Sequence, residues 1–269
     1  MSVYAMVEGV QGYSEKVYQK SLFERYLTGT EEREAFRPFI GSIASRDHTK
    51  REVAILGGWL DGAVKDKHAV VVSITGPHYG IDPQTGKIAV MVGIPDSTER
   101  LVWTHAKFAR YCRAASIQLD SIITLADQEA LGIPEFHARM TQTQFALYNK
   151  AILDIQRVQV PMLTTLDETL WREANSQKLT LELKQWVVTS LIQQRRRYYL
   201  RIAGSTSVDR KVRFRVENDI REYAAVGYYV RRLFPQALVV TNGPEVLARC
   251  LKGLVPDLPL LILKHPRHC

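Results

Sequence analysis

Apolar residues in this chain follow two spacings, and the two alternate along its length. The run HAVVVSIT at 68–75 is short, β-branched and closed by GPHYG, the pattern of a buried strand that ends in a tight turn. IAVMVGI at 88–94 is a weaker strand candidate. From Asp96 the period lengthens: Leu101, His105, Phe108 and Cys112 recur at helical spacing, and Asp96 with Glu99 forms a capping-box pattern. LDSIITLA at 119–126 predicts a second strand, 135–157 a helix, and VQVPML at 158–163 a third strand. Thr165 with Glu168 is another capping-box pair and opens a helical stretch predicted to reach about residue 201. Beyond the loop AGSTSVD a last long helix is predicted from about 217 to 234, ending at Pro235 because proline cannot continue it. ALVVT and LPLLIL are two further strand candidates, with GPEVLARCLKG a helix between them.

Strands that alternate with helices predict a mainly parallel sheet covered on both faces, a single α/β domain of Rossmann-like type. The first 50 or so residues are polar and mixed, and TGTEEREAFRP reads as a charged, mobile segment. The expected organisation is a polar, helical N-terminal extension over 1–50 and one Rossmann-like catalytic domain over 51–269. The chain carries no internal repeat and no low-complexity tract.

Composition changes this picture only through charge. Hydrophobic residues at 46% and charged residues at 24% are ordinary globular values. No apolar run approaches the roughly 20 residues needed to span a bilayer. The N-terminus lacks a secretory pattern, and the three cysteines form neither a disulfide framework nor a C-x-x-C zinc pair. A soluble, reducing, cytoplasmic setting is expected, with no metal. The net charge of +8 is concentrated: residues 195–215 hold eight Lys and Arg against the single acid Asp209, a net +7. The remainder, with 28 basic and 27 acidic residues, is close to neutral. Cations at a helix C-terminus complement the macrodipole, but that needs one or two charges, and this block continues through the following loop. Arg195, Arg196, Arg197, Arg201, Arg210, Lys211 and Arg213 suit a polyanion, since each neutralised phosphate releases counterions. Tyr198 and Tyr199 beside them suit stacking on bases, or a helix core. The expected partner is RNA rather than DNA or a membrane, because the block lacks an exposed apolar face.

Chemistry is harder to read. There is no G-x-G-x-x-G after a strand, no P-loop and no G-x-S-x-G elbow, so no nucleotide cofactor is expected. In an open α/β sheet, ligands sit at the carboxyl ends of strands. The first strand would deliver Ser73, Thr75, His78 and Tyr79 to that edge, and a hydroxyl there is a candidate nucleophile. On the last long helix, Ile220, Tyr223, Ala224, Gly227 and Phe234 share one stripe, and Glu222, Val226 and Tyr229 an adjacent one. Tyr223, Tyr229 and Glu222 suit proton transfer or amine binding; the same pattern also describes an aromatic helix packed in a core.

Taken in order, these pieces resemble the tRNA-dependent cyclodipeptide synthases. HAVVVSIT is similar to that family's opening strand, and LDSIITLADQEALG to its strand and acidic turn. VQVPMLTTLDETLWREANSQKLTLELKQWVVTSLI follows its strand and long helix, and IREYAAVGYYVRRLF its catalytic helix, over roughly 65–255 in all. The resemblance implies a domain like the catalytic domain of class I aminoacyl-tRNA synthetases, working without ATP. It implies a strand-end serine that takes an aminoacyl group from one charged tRNA before a second aminoacyl-tRNA completes a diketopiperazine. Three positions depart from the family: Val226 and Val230 stand where it has its tyrosine and glutamate, and Ser73 lies one residue before the matched Ile74. The sequence looks more like the arginine-incorporating branch found in fungi, which implies arginyl-tRNA as one substrate. Tyr223 or Tyr229 would then act in the tyrosine's place, and Asp127, Glu129 and Glu222 would hold a guanidinium. Two other classes remain: a non-catalytic RNA-binding α/β protein, and a small-molecule transferase whose basic block holds an anionic cofactor.

Overall fold

A computed structural model of the chain describes residues 27–44, 48–75, 79–81, 88–90, 96–125, 162–165, 167–177, 208–242 and 245–263. The β-branched run forms strand β1 (His68–Thr75), and LDSIITL with the preceding glutamine forms β4 (Gln118–Leu125). Between them lie the short strands β2 (Tyr79–Ile81) and β3 (Ile88–Val90), paired antiparallel as a separate ribbon. β5 (Met162–Thr165), β6 (Leu238–Thr241) and β7 (Leu260–Ile262) complete a five-stranded sheet in the order β5-β4-β1-β6-β7, and all its pairings are parallel. In chain order of these five strands the sheet reads third, second, first, fourth, fifth, a Rossmann-like arrangement.

Helices cover both faces. On one lie α1 (Glu31–Ile43), α2 (Lys50–Asp66) and α3 (Asp96–Ala114), whose Phe36, Trp59 and Phe108 pack with Ala69 and Val71 of β1 and Leu119 of β4. On the other lie α4 (Glu168–Ser176), α5 (Val208–Leu233) and α6 (Glu245–Cys250), where Trp171, Ala225 and Val230 pack with Val72, Ile122 and Val239. The alternation along β1, with Ala69 and Val71 to one side and Val72 to the other, follows from the two-residue period of a strand.

The N-terminal extension is helical from Glu31, as expected, but the segment read as mobile is packed in the core. Thr30 accepts from the Arg33 N–H as N-cap, Glu31, Glu32 and Glu34 favour the positive N-terminal end, and Phe36, Ile40 and Ile43 recur on one buried face. Residues 27–44 therefore belong to the same core as the domain. α2 opens with a capping box at Thr49 and Glu52. Ala44 after α1 and His48 before α2 cover the outer edge of β7: the Ile262 N–H donates to His48 Nε2 at 3.2 Å, and Ala44 bridges Leu263.

Three further expectations are corrected. α4 is capped by Asp167, which accepts from the Leu170 N–H, rather than by Thr165, and it ends at Ser176; residues 178–201 of the expected helical stretch lie outside the described residues. The third strand is described over Met162–Thr165, two residues past the predicted end, while 158–161 of the predicted run lie outside the described residues. The last long helix begins at Val208, nine residues before the expected start, so part of the basic block is helical. Where α5 meets α6 the approach is close enough to require glycine: a Cβ on Gly227 would sit 1.8 Å from the Leu251 carbonyl oxygen.

Candidate functional site at the carboxyl edge of the sheet

The strand order reverses between β1 and β6, and this switch point is where open α/β sheets place ligands. Thr75 closes β1 and Thr241 closes β6, followed by the half-buried Asn242. Tyr79, four residues beyond Thr75, begins the β2–β3 ribbon opposite Val90. α5 leads into β6 and so runs back along it, with its N-terminal half toward this carboxyl edge. Its 26 residues span about 39 Å at 1.5 Å per residue, against about 26 Å for the eight-residue strands. The helix is longer than the strands, and Arg210, Lys211 and Arg213 lie in its first turns, at the end directed toward this edge.

Directly beneath the edge, β1, β4 and β6 are tied to α3 by a buried polar chain. Ser73 Oγ lies 2.8 Å from His105 Nε2 and 2.8 Å from the Val240 carbonyl oxygen, and His105 Nδ1 lies 2.7 Å from Ser121 Oγ. A carbonyl oxygen only accepts, so the Ser73 hydroxyl donates to Val240. Ser73 must then accept from His105 Nε2–H, which leaves Nδ1 unprotonated and accepting from Ser121. The carbonyl thus assigns the tautomer. Ser73 and His105 are both fully buried. Burial pushes the His105 imidazole down to about 3, so it is neutral at physiological pH.

This corrects the expectation that Ser73 presents an available hydroxyl at the strand end. It faces α3 from inside the core, and its one proton is engaged by a backbone carbonyl. A second correction concerns Tyr229. It is 1% exposed, its ring meets Trp171 edge-on at 6.1 Å, and its hydroxyl accepts from the Asp167 N–H at 2.8 Å. It joins α5 to the start of α4 rather than facing a ligand. Tyr223 is half-buried at the border of the apolar cluster, beside Val226, while Val230 is wholly buried within it. For Thr75, Tyr79, Glu222, Arg210, Lys211 and Arg213 the structure describes the backbone alone. His78, Asp127, Glu129, Arg195, Arg196, Arg197 and Arg201 lie outside the described residues.

The hydrogen-bonded chain escaped the sequence reading, which took His105 only as one beat of a helical period. Its signal was a histidine on the buried stripe of a helix between two strands, each with a serine at an alternate position. Among the described residues no group of three or more His, Cys, Asp or Glu is arranged to hold a metal ion, and no helix is long and apolar enough to cross a membrane. No protein-family model, no curated protein and no solved structure matches the chain.

Proposed function

We propose that the chain is a tRNA-dependent aminoacyl transferase that joins two aminoacyl groups into a cyclic dipeptide, with its reaction at the carboxyl ends of β1 and β6. The observation that carries this reading is the course of α5. It leads into β6 and runs back along it, so its first turns, which hold Arg210, Lys211 and Arg213, lie toward the carboxyl side of the sheet, where an aminoacyl ester on a polyanionic carrier would have to arrive. The ester is already activated, so the reaction needs no nucleotide-binding loop. With the Ser73 hydroxyl engaged, Thr75 is the other β1 hydroxyl and the candidate for a covalent intermediate. Arginine as one of the joined residues, from arginyl-tRNA, is the finer form of the proposal.

Two observations favour a second reading, a non-catalytic RNA-binding protein: Ser73 is enclosed, and Val230, at a position where the resembling family has a glutamate, is buried among apolar side chains. Expression in a bacterium separates the two. A diketopiperazine absent from control cultures, detected by mass spectrometry of the medium, supports the transferase. RNA binding without that product in arginine-replete cells supports the second reading.

A further inference from the structure

The amino-terminal edge of the same sheet holds a cavity of about 330 Å³, at the lower end of the range usual for small-ligand sites, roughly 300–1,000 Å³. We propose that it binds a small zwitterion of the α-amino-acid class. The ligand's carboxylate meets Arg231, its ammonium meets Asp66, and its side chain lies between Trp59 and the prolines Pro235 and Pro259.

Three features argue for this. The first is a pair of glycines in α2. Glycine within a helix weakens it, and Gly57 at least has close neighbours, the Arg33 guanidinium and the Leu27 side chain at 3.4 Å from where its Cβ would be. Gly58 and Gly62 have none: a Cβ on either would meet nothing within 4 Å. Both line the cavity, one turn apart, and their missing side chains leave it open. Breaks in local consistency that the fold does not require mark functional positions.

The second is charge. Arg231 is held in place by two acceptors, the Pro235 carbonyl oxygen at 2.7 Å from Nη1 and the Asp257 carboxylate at Nη2. A guanidinium has five N–H donors, so others remain for a carboxylate. Asp66 forms no ion pair among the described residues. A lone anion would face Asp66 and a lone cation would face Arg231, whereas a zwitterion satisfies both. The third is rigidity. Two prolines form part of the wall, and the Trp59 ring is fixed by Phe36 and Phe108 at centroid distances of 6.0 and 6.2 Å. Preformed walls lower the cost of ordering a small ligand.

His68 at the start of β1 lines the cavity and Thr75 ends the same strand, about 23 Å away at roughly 3.3 Å per residue. The site is therefore separate from the switch-point edge, and it does not rest on the function proposed there.

Calorimetric titration with each common free amino acid, alongside the N-acetyl amide of the same residue, tests the proposal. At least one free amino acid should saturate below about 10 mM, and its uncharged N-acetyl amide should bind at least about tenfold more weakly. Gly62→Leu fills the cavity from a position with open space around it, so binding should fall by about tenfold or more while the melting temperature holds or rises. Asp66→Asn removes an exposed charge and should weaken binding similarly. The proposal is overturned if no free amino acid saturates, or if binding survives Gly62→Leu unchanged in folded protein. It is equally overturned if the N-acetyl amide binds as well as the zwitterion.

Discussion

Acidification should destabilise this protein through one buried histidine. His105 is neutral in the folded state, its pKa lowered to about 3 by burial, whereas an unfolded chain titrates near its ordinary value of 6.5. Above 6.5 both states carry the neutral ring and the group adds no pH dependence. Below 6.5 the unfolded state binds a proton that the folded state refuses, so stability falls as pH falls, and the loss levels off near 3. The slope is about 1.4 kcal/mol per pH unit, so at pH 4.5 the loss from this residue is roughly 2–3 kcal/mol. That is a large fraction of a typical domain's total of about 5–15 kcal/mol. The measurement is urea unfolding of the wild type and of His105→Gln at pH 7.5 and 4.5. Carboxylates and the other histidines titrate in both proteins and cancel in the difference. The wild type should lose roughly 2–3 kcal/mol more than the variant on acidification. Equal losses would refute the buried-neutral assignment and the hydrogen-bond directions that follow from it. At pH 7.5 the variant should already be weaker by about 1–3 kcal/mol, from the partners it leaves unsatisfied.

Other outcomes follow from packing and charge. Gly227→Ala should lower the melting temperature although alanine is the better helix former, because its methyl collides with the Leu251 carbonyl; a crowding cost of about 1–3 kcal/mol, at roughly 2–4 °C per kcal/mol, exceeds the propensity gain. Phe36→Ala should cost about 3–5 kcal/mol in denaturant titration, since this ring is fully buried and packs against Phe39, Trp59, Phe108 and Tyr111. Replacing Arg210, Lys211 and Arg213 together by serine should reduce the slope of log K against log salt for tRNA binding by about 2–3, at roughly 0.7–0.9 per lost phosphate contact; an unchanged slope means that these cations only solvate the helix.

The strands were legible where a β-branched run stood alone. β1 spans the whole of HAVVVSIT, and β4, β6 and β7 fall within or beside the runs that predicted them. The burial of one helix and the existence of another were not. α1 hides behind its acids: Glu31, Glu32 and Glu34 made the segment look solvated, although they stabilise the helix start while Phe36, Ile40 and Ile43 supply the core. In α2 the glycines of LGGWLDG suppress the propensity signal, and tertiary packing of Leu56, Trp59 and Leu60 overrides it. The candidate site was legible only as an edge. Which strand-end hydroxyl faces outward depends on partners far along the chain: Ser73 meets His105 across 32 residues and Val240 across 167. No local period encodes such pairings. Tyr229 shows the same limit, since its hydroxyl partner lies 62 residues away on the α4 cap.

The most direct measurement is transfer of a radiolabelled aminoacyl group from charged tRNA to the purified chain, counted on protein after removal of RNA. The account predicts label on the wild type and on Ser73→Ala, none on Thr75→Ala, and release of a cyclic dipeptide when a second aminoacyl-tRNA is added. No transfer from any charged tRNA, by folded protein that still binds RNA, would contradict it and leave the non-catalytic reading.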